Sequence, residues 1–192
     1  MIYMIEIDYT DPATEAEWDA WYHTYVRDLM TVPGIATGQR FVAASPAEYR
    51  HLAIYTLESL AVYESPRYRE IGGGGTASVK WRSHIRRRRN LFNGIGRVPE
   101  ATVGETVLLV TESDPRTLNL KDVLFTRLDV LEMAAVASEP GSALRNQVPF
   151  DGEPKVRCVA MAPRAAAEAA GLTAREDLAV YEPSAGRETS PA

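Results

Sequence analysis

Chemistry near neutral pH needs a side chain that can take or hold a proton there, and this 192-residue chain has few: three histidines, His23, His51 and His84, and one cysteine, Cys158. A further candidate is Glu6, in the middle of "IYMIEIDY". An acid there would sit inside a strand, where an unpaired carboxylate is costly; burial would raise its pKa and suit it to act as a base. Glu6, His23 and His51 are therefore the candidate catalytic groups, able to abstract a proton from a C–H or O–H acid. An arginine could stabilise the resulting enolate. Trp18, Tyr22, Arg40, Tyr55, Trp81 and His84 are the candidate substrate-binding residues, supplying flat apolar faces and a cation. The run Arg86 to Arg89 would alternate faces if it is a strand, aiming two guanidiniums at an anionic substrate.

Other chemistries are not visible. The histidines have no metal-ligand spacing, so no metal is expected. "GGGG" at Gly72 to Gly75 lacks a following Gly-Lys-Ser/Thr and reads as a flexible loop, not a phosphate cradle. No GxSxG or Cys-His nucleophile pattern occurs. Cys158 reads as a small buried apolar group. A net charge of −5 argues against nucleic-acid and anionic-membrane binding. With one cysteine no intrachain disulfide can form. The start "MIYMIEIDYT" carries acids and no basic flank, unlike a signal peptide. These features read as a cytoplasmic protein. At 45% apolar and 24% charged residues the chain has the composition of a globular domain.

The elements that must position the candidates follow from pattern. Ile2 to Tyr9 reads as a strand. A helix starts at Asp11-Pro12, or at Thr14 with Glu17 as a capping box, and stops at Pro33-Gly34. On that helix Trp18, Trp21, Tyr22, Tyr25, Val26 and Leu29 form one apolar stripe, while His23 lies on the polar flank beside Asp19 and Arg27. "TGQRFVAAS" and "YRHLAIYTLES" predict two strands, a second helix begins near Leu60, and "WRSHIRRRRNLFNGIG" supplies a fourth strand. The order βαββαβ is the ferredoxin-like unit.

The second half echoes the first. "IYMIEIDYTDP" aligns with "TVLLVTESDP", "RFVAASP" with "RCVAMAP", and "LAIYTLES" with "LAVYEPSA". Glu6 is thereby matched with Leu109, Arg40 with Arg157, Tyr55 with Tyr181 and His51 with Asp177. "KDVLFTRLDVLEMAAV" between the first two matches predicts a helix. The expectation is α+β: a ferredoxin-like unit over 1–98, a second, truncated one over 104–186 lacking its last helix and strand, and a frayed tail over 187–192.

With "WDAWYHTYVRDLMTVPGI", "GQRF" and "LAIYTLES" in hand, the chain resembles the dimeric α/β-barrel superfamily, and within it the EthD-like group. The resemblance implies two ferredoxin-like units pairing their sheets into a barrel, either between two copies or within one chain, with a small-molecule cavity, and a homodimer as the expected assembly. Members of that group commonly carry Trp-Tyr, three residues, then His; here that register falls on Val26, so no family role passes to His23. The superfamily spans many reactions. The expected function is a cofactor-independent enzyme on an aromatic or polyketide-like substrate, using proton transfer for cyclisation, isomerisation or decarboxylation. The alternatives are a non-catalytic ligand-binding or assembly protein, or a haem-binding or monooxygenase member.

Overall fold

The computed structural model describes residues 1–73, 76–114, 116, 123–131 and 154–191. Eight strands close one antiparallel barrel within the single chain. The first half contributes β1 (Ile2–Tyr9), β2 (Ile35–Ala43), β3 (His51–Leu57) and β4 (Ile85–Asn93); the second contributes β5 (Thr106–Thr111), β6 (Thr126–Val130), β7 (Val156–Pro163) and β8 (Ala179–Pro183). The ring runs β2-β3-β1-β4-β6-β7-β5-β8 and returns to β2. Each half thus has the same internal order, and the outermost strands of one half pair with those of the other. A short strand β9 (Glu188–Thr189) adds to β2 outside the ring.

Period-two patterning sorts the strand residues between two faces. Ile2, Met4, Phe41, Leu52, Ile54, Phe92, Leu108, Val110, Leu128 and Val159 fill the lumen as one buried cluster. Tyr3, Ile7, Ala53, Tyr55, Leu57 and Leu91 face outward into a second cluster with Trp18, Tyr22, Val26 and Leu29 of helix α1 (Glu15–Leu29). Asp11 holds the start of α1: its carboxylate accepts from the Ala13 N–H (3.0 Å) and the Thr14 hydroxyl (2.6 Å). Thr14 is the N-cap residue, but its side chain makes no capping bond, so the capping box is not used. After α1 the chain turns at Gly34, whose φ of +88° favours glycine. A 3-10 turn (Leu60–Glu64), the short helix α2 (Pro66–Glu70) and a second 3-10 turn (Val79–His84) lead to β4.

The second half departs from expectation in three ways. It is not truncated: helix α3 (Arg164–Ala169) and strand β8 supply its last helix and strand. Thr126–Val130, expected in a helix, is strand β6, with Leu128 buried between the exposed Arg127 and Asp129. The rest of that expected helix lies mostly outside the described residues, as do Gly74 and Gly75 of the glycine run. The tail expected to fray instead forms β9, with Gly38 opposite Glu188 and Thr37 opposite Thr189. Arg187 donates to the Val98 carbonyl (3.3 Å) and Gln39 to that of Ala185 (3.1 Å).

The strand order also corrects the internal matches. "RFVAASP" lies on the second strand of its half and "RCVAMAP" on the third; "LAIYTLES" lies on the third and "LAVYEPSA" on the fourth. Arg40 and Arg157 are therefore not equivalent, nor are Tyr55 and Tyr181. β1 and β5 do correspond, but Glu6 is on the lumen face and Leu109 packs outward against α3. A one-residue slip moves a strand residue to the other face.

Candidate functional site

A cavity of about 80 Å³ lies between α1 and the outer face of the first-half sheet. Its floor is Tyr3, Ile5 and Ile7 of β1, Tyr55 and Leu57 of β3, and Ile85, Arg87 and Arg89 of β4. Trp18, Trp21, Tyr22, Tyr25 and Leu29 of α1 form the opposite wall, closed by Val62, Tyr63 and Tyr68. The stripe on α1 that packs the helix down therefore also lines the cavity. Trp21, Tyr25, Ser78, Ile85 and Arg87 are half-buried and mark its solvent side.

The rings hold one another in place. Tyr9 stacks on Trp18 at 4.8 Å and Trp21 on Tyr25 at 5.4 Å. Tyr3 stacks on Tyr55 at 5.9 Å. The Arg40 guanidinium sits 4.3 Å from the Tyr22 ring and 5.4 Å from the Trp18 ring, while its Nη2 donates to Asp19 Oδ1 at 2.7 Å. Gly38 makes room for the cavity wall, because a Cβ there would stand 2.9 Å from the Tyr55 ring.

Burial raises the pKa of Tyr3, Tyr22, Tyr25 and Tyr55 above the usual phenol value. These hydroxyls stay protonated at neutral pH and can donate hydrogen bonds. Burial, and then the charge of Arg89, push the Arg87 pKa down, yet a guanidinium remains charged in a protein. No Asp, Glu, His, Cys or Lys is among the described lining residues. The site is equipped to hold a ring and stabilise an oxyanion.

Of the residues singled out from sequence, Trp18, Tyr22 and Tyr55 line this cavity. Arg40 backs its wall. Trp81 is buried in the adjoining core, 6.2 Å from the rings of Tyr9 and Trp21. His84 lies 6.0 Å from the Tyr9 ring. His51 is buried behind Trp18, ring to ring at 4.8 Å, with Nε2 3.2 Å from Glu15 Oε1. Burial lowers its pKa, as it does for His23. His23 stays on the polar flank, 3.5 Å from Asp19.

Glu6 is on the other side of the sheet. Its carboxylate accepts from Arg88 Nε (2.7 Å) and Nη2 (3.0 Å) and from Arg157 Nη2 (2.6 Å). Arg40 is on the opposite, outward face of the sheet, paired with Asp19. Arg157 also donates to Glu112 at 2.6 Å, so the lumen carries an ion-pair network. A larger cavity of about 310 Å³ opens elsewhere in the lumen, among Ile2, Met4, Ile54, Leu108, Leu128 and Val159, with Arg97 its one charged described residue. It offers volume and little chemistry. Among the described residues no group of His, Cys, Asp and Glu is placed to hold a metal ion.

Sequence reasoning found the aromatic stripe but not Tyr3, Tyr63 or Tyr68 as wall residues. Tyr3 was within reach, because alternation along β1 sends it to the face of α1. Tyr63 and Tyr68 depend on how the segment after β3 folds back, for which no local signal exists.

No protein-family model matches the chain, and no curated protein matches it. Solved structures do. The crystal structure of an anthrone oxidase-like protein superposes with a TM-score of 0.51 at 12% identity, covering 100% of this chain and 94% of that one. The fold is of the dimeric α/β-barrel type. The crystal structure of a "Putative monooxygenase" of Fusobacterium nucleatum gives a TM-score of 0.48 at 8% identity, over 100% of this chain and 95% of that one. No helix among the described residues is long and apolar enough to cross a membrane.

Proposed function

We propose that this chain is a cofactor-independent enzyme of the EthD-like group, acting on a compact aromatic or polyketide-like compound held in the α1 cavity. One observation carries the reading: a solvent-open cavity walled by Trp18, Trp21 and several tyrosines has Arg87 and Arg89 in its floor. Rings slot between rings, and protonated phenols with guanidiniums stabilise an enolate or phenolate as it forms. The reaction is proton-transfer chemistry at an enolisable position. Glu6 is tied into the lumen network and neither His51 nor His23 lines the cavity, so solvent at its open side takes the proton. A homodimer, implied by the resemblance, would be an addition to a barrel that one chain already closes.

The absence of a carboxylate or histidine among the described lining residues favours a second reading, a non-catalytic ligand-binding protein of the same fold. One experiment separates the two. Phenolic and enolisable one- and two-ring compounds are screened for quenching of tryptophan fluorescence, and those that bind are assayed for conversion by mass spectrometry, with and without oxygen. Conversion that falls roughly a hundredfold in Tyr22→Phe supports the enzyme. Saturable quenching without conversion supports the binding protein. No quenching by any ring compound overturns both.

A further inference from the structure

The reading just given leaves the substrate's charge open, and β4 supplies it. Its four consecutive arginines are dealt alternately to the two faces of the sheet. The lumen pair is met by acids. Arg86 is ion-paired with Asp8 and lies 3.7 Å from Glu48; Arg88 is paired with Glu6 at 2.7 Å and lies 3.3 Å from Glu48 and 3.6 Å from Glu112. The outward pair, Arg87 and Arg89, faces the aromatic cavity, and no described lining residue is acidic. Arg87 has no hydrogen-bond or ion-pair partner among the described residues. It is half-buried at the open side. Two like charges about 7 Å apart along one strand face an apolar space.

The contrast within one strand is what makes this more than a charge run. A chain that places Asp8, Glu6, Glu48 and Glu112 against the lumen arginines sets no acid against Arg87 among the described residues. A half-buried cation with no counter-charge is costly unless a ligand brings one. The planar guanidinium fork matches a carboxylate in a bidentate pair. Beside it, the protonated phenols of Tyr3 and Tyr22 add donors and no negative charge.

We propose that the cavity takes an aromatic acid, with the ring held among Trp18, Trp21 and Tyr22 and the carboxylate on Arg87, which selects the anion over its neutral counterpart. This rests on the aromatic-cavity reading above and adds the charge. Arg87 here sets specificity; the reacting position of the ring is a separate matter.

The test uses 2-naphthoate and its neutral isostere 2-naphthamide, with quenching of tryptophan fluorescence as the readout of binding. Wild-type protein should bind the acid about tenfold more tightly than the amide, the gain expected for a hydrogen-bonded charge pair. Arg87→Gln should bring the two within about threefold by weakening the acid alone, and Arg87→Lys should fall between. Arg82→Gln, a nearby exposed arginine outside the cavity wall, should keep the wild-type ratio. Wild-type affinity for naphthoate should also weaken with added sodium chloride while that for naphthamide holds. That salt series stands even if Arg87→Gln fails to fold. Equal binding of acid and amide by the wild type, no salt dependence, or a folded Arg87→Gln that keeps the ratio each overturns the proposal and leaves the aromatic site standing. If neither compound binds, the aromatic site falls with it.

Discussion

Glu6 and His51 were both set apart by residue type, and their surroundings give them different work. The Glu6 carboxylate is buried and bonded to Arg88 and Arg157. Removing its charge leaves two guanidiniums without their shared partner, and breaking a buried pair from one side costs about 3–5 kcal/mol. Glu6→Gln should therefore lower the urea midpoint strongly while a folded fraction still binds ring compounds; unchanged stability would contradict this. His51 reports on pH. Burial holds its pKa below the ordinary 6.5, with Arg40 acting in the same direction and Glu15 against it. The unfolded chain then takes up the proton first. Stability is full above about pH 6.5 and declines as the pH falls below it. Between pH 7.5 and 5.5 the urea midpoint should drop less in His51→Gln than in the wild type. His23, whose pKa is also lowered by burial, adds to the same slope, so the double variant should be flatter still.

At the scale of elements, α1 and β1 to β4 were largely legible because their periodicities are clean. β1 came out residue for residue as Ile2–Tyr9, and the stripe on α1 faces the sheet as its spacing requires. The second half was harder for physical reasons. Thr126–Val130 places one buried Leu128 between charged neighbours, too short a signal to outweigh the helix-like run around it. The short matches "RFVAASP" and "RCVAMAP" are similar because both are strands leading into a turn, not because they hold the same place in the fold. The cavity was legible through Trp18, Tyr22 and Tyr55 and illegible through Tyr63 and Tyr68, which arrive from a non-repetitive segment. Gly38 tests how closely β2 and β3 shape the cavity. A methyl group there would meet the Tyr55 ring at 2.9 Å and Met30 Cε at 3.0 Å. Overpacking of this kind costs about 1–3 kcal/mol. Gly38→Ala should lower the melting temperature and weaken ring-compound binding, because Tyr55 is displaced; unchanged affinity would place the ligand elsewhere.

For the whole molecule, the two halves share one closed sheet, with β4 paired to β6 and β2 to β8. Neither half can unfold without stripping backbone hydrogen bonds from the other. The chain carries its own reporters for this. All three tryptophans lie in the first half, and Cys158 is buried on β7 in the second. Urea unfolding followed by tryptophan emission and by thiol labelling of Cys158 should give coincident midpoints. Separate midpoints would mean that the halves are independent units.

A barrel assembled from two identical chains must repeat every wall residue, so any change to one cavity is imposed on the other. Here both halves are encoded separately. Among the described residues the counterpart face in the second half is packed by Val107, Leu109, Ala160, Ala162, Ala167, Leu172, Leu178 and Val180, with Val123 and Phe125 partly buried against them. Encoding both halves in one chain releases the scaffold from that symmetry: the wall of the first-half cavity can change with no matching change in the second half.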